Sequence, residues 1–122
     1  MASSRSFKDL LVWQRSMELV KEVYKITRKF PRSEEFALSS QLRRAAVSIP
    51  SNIAEGSKRG TQKDFLQFLR IAAGSSAELE TQLLIAKDEY SQVDYGKSLA
   101  VLDEVQRMLN KLSQSMQLKT NN

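Results

Sequence analysis

The 122-residue chain holds 19 Lys and Arg against 14 Asp and Glu, with 41% hydrophobic residues, four Gly, two Pro, no Cys and no His. That length supports one folded unit on one core, and so few breakers disfavour a sandwich of many short strands. Disulfides, thiolate or imidazole metal sites, serine triads and carboxylate–histidine di-iron centres are excluded outright.

The net charge of +5 is unevenly placed: residues 1–32 carry 8 basic and 3 acidic side chains, residues 61–90 carry 3 basic and 5 acidic. The first fifteen residues lack the apolar run of a signal peptide, and no segment approaches the ~20 apolar residues that span a bilayer. The expectation is a cytoplasmic protein with no membrane partner.

Leu10, Trp13, Met17, Val20, Tyr24 and Thr27 recur at three- and four-residue spacings and predict a first helix over about 8–29. Val12, Leu19, Val23 and Ile26 form a second apolar stripe about 120° around the same helix. One buried face does not hold both, so this second stripe is expected to be an oligomer interface, the alternative being a helix sunk deeper among its neighbours. Pro31 forces a turn.

Ser33 followed by Glu34 and Glu35 reads as the N-cap of a second helix, about 33–55, striped by Leu38, Leu42, Ala45, Ile49 and Ile53. Pro50 removes an N–H from its middle, which predicts a kink near residues 48–51 and not an end. Ser51, Asn52 and Glu55 are expected to tie that kink to its surroundings, so that Pro50, Asn52, Glu55 and Gly56 form a structural motif.

Gly56-Ser57-Lys58-Arg59-Gly60 predicts a loop. Thr61 then caps a third helix, about 61–90, with Asp64 three residues on and a stripe of Phe65, Leu69, Ala72, Ser76, Leu79, Leu83, Ala86 and Tyr90. Gly74, Ser75 and Ser76 are expected to let a neighbouring helix approach closely. Asp94 caps a fourth, about 94–117, carrying Val101, Leu102, Val105, Met108, Leu109, Leu112 and Met116, and residues 119–122 should fray. Four helices on short connections predict an all-α, up-down-up-down four-helix bundle, a single domain over 1–122.

Nothing in the chain assembles a catalytic centre. Glu78 and Glu80 are too close in sequence to face each other across a helix, and the serines lack a partner base. The chemistry on offer is charge: Lys58, Arg59 and Lys63 surround the start of the third helix, where free N–H groups attract anions, and Arg43 and Arg44 stand on the second. GSKRGT does not match a nucleotide-binding phosphate loop. These five residues are the expected contacts to nucleic-acid phosphates, with Arg5, Lys8, Arg15, Lys25, Arg28, Lys29 and Arg32 adding to the electrostatic footprint. No cofactor, no metal and no catalysis are expected.

Phe7-x-x-Leu10-x-Val12-Trp13-Gln14, Phe30-Pro31, Gln41-Leu42-Arg43-Arg44-Ala45-Ala46 and above all Ser48-Ile49-Pro50-Ser51-Asn52-Ile53-Ala54-Glu55-Gly56 resemble a known family. So do Phe65-x-x-Phe68-Leu69-x-Ile71-Ala72 and Gly74-Ser75-x-x-Glu78-Leu79-Glu80. It is the four-helix-bundle family encoded within intervening sequences of bacterial 23S ribosomal RNA genes. That family is similar in fold to the accessory proteins of diversity-generating retroelements, which are basic homopentamers that bind nucleic acid and a reverse transcriptase. The resemblance therefore implies a homopentamer, a non-enzymatic RNA- or DNA-binding role and, as the alternative, a scaffold for a protein partner such as a reverse transcriptase.

Overall fold

A computed structural model describes the backbone of residues 6–121 and the side chains of residues 6–119. Four α-helices follow one another: α1 (Leu11–Thr27), α2 (Leu38–Ser57), α3 (Gln62–Glu89) and α4 (Gly96–Asn121). Short 3-10 turns at Phe7–Asp9 and Arg32–Glu34 precede α1 and α2. Among the described residues each helix packs on its chain neighbours and α4 closes the ring on α1, with no diagonal pair.

The direction of each helix follows from what meets at the two ends. At one end Phe30, just after α1, stacks on Tyr90 at the close of α3. There Tyr90 also donates to Glu34 ahead of α2, and Tyr95 before α4 donates to the Ala86 carbonyl. At the other end Phe7 and Leu10 before α1 share a hollow with Ser57, Lys58 and Phe65. The chain therefore runs up, down, up and down, as short connections between long helices require.

The stripes expected on α2, α3 and α4 supply the core: Leu42, Ala45, Ile49, Ile53, Leu69, Ala72, Leu79, Leu83, Ala86, Leu102, Val105 and Leu109 are all buried. α1 is the correction. Val12, Leu19, Val23 and Ile26, expected to join copies of the chain, are at most 5% exposed inside the single subunit. The stripe expected to be the core side lies at its margin: Leu10, Trp13 and Val20 are half-buried and Met17 is 38% exposed.

The physical reason is the packing of α1 on both α2 and α4, which centres the inward face on the narrower aliphatic stripe. Ser16 and Thr27 share that face and are buried at no polar cost, because their hydroxyls donate to the carbonyls of Trp13 and Tyr24. Bulkier Trp13 then lies along the seam, edge-on to Phe7 at 5.3 Å.

Helix starts shift in ways the local chemistry explains. α2 begins at Leu38 and not at Ser33; Glu34 still serves its first turn, accepting from the Leu38 N–H at 3.3 Å. Thr61 caps α3 as expected, its hydroxyl accepting from Asp64 N at 3.1 Å. Asp94 accepts from Gly96 N at 2.9 Å, so α4 starts two residues later than its capping side chain. α2 continues unbroken through Pro50, and α4 through Lys119 to Asn121 where fraying was expected; Asn122 lies outside the described residues.

Candidate nucleic-acid interface

Arg43 and Arg44 are neighbours in sequence and therefore ~100° apart around α2. Arg43 turns toward α1, where its Nε donates to Thr27 Oγ1 at 2.9 Å and its guanidinium lies 4.9 Å from the centre of the Tyr24 ring. Arg44 turns the other way, into the groove between α2 and α3. The two do not converge on one ligand.

Lys58, Arg59 and Lys63 are exposed at the α2–α3 turn, at one end of the bundle. Arg59 is already engaged, paired with Glu55 at 3.1 Å and lying 4.9 Å from the centre of the Phe68 ring. Lys58 borders the hollow with Phe7, Leu10 and Phe65. The five expected phosphate contacts thus divide among three places.

Of the wider footprint, Arg5 lies outside the described residues. Arg15 is tied to Glu18 and, at 2.9 Å, to Glu104 of α4. These carboxylates raise its pKa, the hydrogen bond that Arg15 donates to Glu104 most. Lys25 pairs with Glu22 at 3.3 Å. Arg28, Lys29 and Arg32 are exposed, and among the described residues none is in an ion pair.

Four cations without ion pairs among the described residues, Lys21, Arg28, Arg32 and Arg43, lie along the α1 edge that faces α2. One hollow of about 350 Å³ is lined by Val20, Lys21, Tyr24, Lys25 and Arg28. Next to it, sharing Arg28, a second of about 290 Å³ is lined by Thr27, Arg28, Phe30, Pro31, Arg32, Glu35, Ser39 and Arg43. Lys21 and Arg28 so share a hollow with half-buried Tyr24, Arg43 lies against its ring, and Arg32 lines the adjoining hollow, with Glu35 the one acid lining either. Lys21 and Tyr24 were not among the expected contacts. The signal that finds them is the Lys21, Lys25, Arg28 spacing, four then three residues, with Tyr24 between.

The family model of the 23S rRNA-intervening sequence protein matches residues 8–111. The chain belongs to that family. A solved structure, described as a protein with unknown function from the S23 ribosomal protein family of Bacteroides thetaiotaomicron, is similar at a TM-score of 0.74 and 20% identity. The match covers 85% of this chain and 96% of that one, and at this identity it speaks for the fold alone. A search of curated proteins returned no match.

The residues that carry the family resemblance do structural work in this member. Gly56 is buried where α2 crosses α3; a Cβ there would lie 2.5 Å from Phe68 Cβ. Asn52 donates to the Ser48 carbonyl at 2.8 Å and to Ser48 Oγ at 2.9 Å, and Ser48 Oγ meets Ser75 Oγ of α3 at 2.7 Å. Asn52 thus serves the carbonyl one turn back and not that of Ala46, the one whose N–H partner Pro50 removes. Glu55 faces Arg59 on the exposed side, away from the proline. Of the three small residues expected at a close approach, Ser75 meets Ser48 of α2, whereas nothing beyond the neighbouring backbone of its own helix lies within 4 Å of a would-be Cβ at Gly74; α2 and α3 also come close at Gly56. No metal-holding cluster and no membrane-long apolar helix occur among the described residues.

Proposed function

We propose that the protein is a non-enzymatic binder of nucleic acid that grips phosphates along the edge between α1 and α2. The observation that carries this reading is the set Lys21, Arg28, Arg32 and Arg43, all without ion pairs among the described residues, lining two hollows that share Arg28, with Tyr24 in one of them. Unpaired cations beside an aromatic ring are what a polyanion with stacking bases requires. Two adjoining hollows suit an extended strand better than a compact metabolite.

Contacts of this kind carry little sequence information and depend steeply on salt. The expected outcome of a mobility-shift titration is binding to RNA or DNA at low salt that weakens uniformly across sequences as salt rises. Absence of binding at low salt would remove the reading.

The reading rests on the single chain. A homopentamer, the assembly implied by the family resemblance, has no exposed strip at Val12, Leu19, Val23 and Ile26 to build on, since these lie in the core. A protein partner recovered from the native host after nuclease treatment would instead favour the scaffold role beside an enzyme such as a reverse transcriptase.

A further inference from the structure

The groove on the opposite side of α2 has a chemistry of its own. It holds about 440 Å³ and is lined by Gln41, Arg44, Ala45 and Ser48 from α2 and by Glu78 and Gln82 from α3. Arg44 and Glu78 share this groove, yet neither is in an ion pair among the described residues. Gln82 also lines the groove and keeps its Oε1 buried with no hydrogen-bond partner among the described residues. The groups left for an occupant to satisfy are the unpaired charges of Arg44 and Glu78.

The two walls differ in sense. On the α2 wall the guanidinium of Arg44 can only donate, and on the α3 wall the ionised carboxylate of Glu78 can only accept, while the amides of Gln41 and Gln82 can do either. An occupant that satisfies both must present acceptors on one edge and donors on the other. Guanine does so: O6 and N7 accept, and bidentate Arg is their commonest partner, while N1–H and the N2 amino group donate. Adenine and cytosine lack the adjacent donor pair.

We infer that this α2–α3 groove reads a guanine base of a single-stranded nucleic acid, with Arg44 on its O6/N7 edge and Glu78 on its N1/N2 edge. The inference rests on the phosphate-binding reading of the α1–α2 edge, and the arrangement of α2 connects the two. Arg43 faces the phosphate edge and Arg44 the groove, and one helix width of ~10 Å separates them. A splayed-out base can be read on its hydrogen-bonding edges while its backbone stays on neighbouring cations.

The test is fluorescence anisotropy with a labelled uridine oligoribonucleotide carrying one guanosine, and with the same strand carrying inosine, 7-deazaguanosine or adenosine in its place. Wild-type protein is expected to prefer guanosine by about tenfold, the discrimination one bidentate base contact supplies. Glu78→Gln should abolish the difference between guanosine and inosine, and Arg44→Gln that between guanosine and 7-deazaguanosine. Both side chains are exposed, and retained helicity by circular dichroism shows that each variant is folded. Equal affinity of wild-type protein for all four strands, with salt-dependent binding of the uridine strand retained, overturns this inference alone. No binding of any strand at low salt overturns it together with the reading on which it rests.

Discussion

Two glycines on adjoining helices should respond to the same substitution with opposite signs. Alanine in place of glycine inside a helix gains about 1 kcal/mol from propensity alone. At Gly74 nothing lies within 4 Å of the new methyl group, so that gain is expected in full. At Gly56 the methyl would stand 2.5 Å from Phe68 Cβ and 3.1 Å from Phe65 Cδ1, against a comfortable separation of ~3.5–4 Å. The nearest obstacle is a Cβ fixed to the α3 backbone, not the end of a flexible side chain, so the two helices must part. Overpacking of this kind costs about 1–3 kcal/mol, which outweighs the propensity gain. Gly56→Ala should therefore lose up to about 2 kcal/mol and Gly74→Ala gain about 1, or up to ~6–10 °C down and ~3–5 °C up in Tm for a domain of this size. Thermal unfolding followed by circular dichroism reads both. A Gly56→Ala protein as stable as Gly74→Ala would refute the close crossing of α2 and α3.

Leu19→Ala should cost about 2–5 kcal/mol in urea unfolding, because the side chain is fully buried within one subunit. If the stripe joined copies, the same change would weaken association and leave the subunit's own unfolding nearly unaltered. Thr61→Ala removes the side-chain cap of α3 and should cost about 1 kcal/mol by the same assay. Alkaline stability depends on Tyr90. Its hydrogen bond to Glu34, followed by burial, pushes its pKa up to about 12 from the ordinary 10.0. The folded state thus prefers the protonated phenol, a contribution present below pH 10 and lost as pH rises toward about 12. Tyr90→Phe should flatten the fall in stability across that window, and an unchanged pH profile would show that the bond to Glu34 does not hold in solution. Tyr95, raised by burial, titrates in the same direction and leaves a residual slope.

Helical period was enough to find the buried faces of α2, α3 and α4, because on each the apolar residues form one stripe. It failed on α1, where two stripes compete and the inward one contains Ser16 and ends beside Thr27. Hydroxyls that bond their own helix's carbonyls are acceptable in a core, but a count of apolar positions passes over Ser16 and assigns Thr27 to the other stripe. Pairwise packing on α2 and α4 decides which stripe turns inward, and that is not written in α1 alone. The caps at Thr61 and Asp94 were legible because they are short-range chemistry. The start of α2 was not, since Glu34 is also drawn to Tyr90, 56 residues away.

The candidate site was legible only in its ingredients. Charge counts flagged the basic N-terminal quarter, and Arg28 and Arg32 were among the expected contributors. Which cations remain free depends on the partners the fold brings to them. Arg15 is neutralised by Glu104 of α4, whereas Arg43 is carried onto Tyr24, nineteen positions earlier in the chain.

The central claim is that the α1–α2 edge, and not the basic turn between α2 and α3, holds the phosphates. Four contacts, from Lys21, Arg28, Arg32 and Arg43, predict that log affinity for a single strand falls with log salt at a slope of about −3. Measured by anisotropy over a salt series, Lys21→Ala with Arg28→Ala should make that slope shallower by about 1.4, half its value, while Lys58→Ala with Lys63→Ala leaves it unchanged. The reverse pattern, or a slope indifferent to Lys21 and Arg28, would contradict the account.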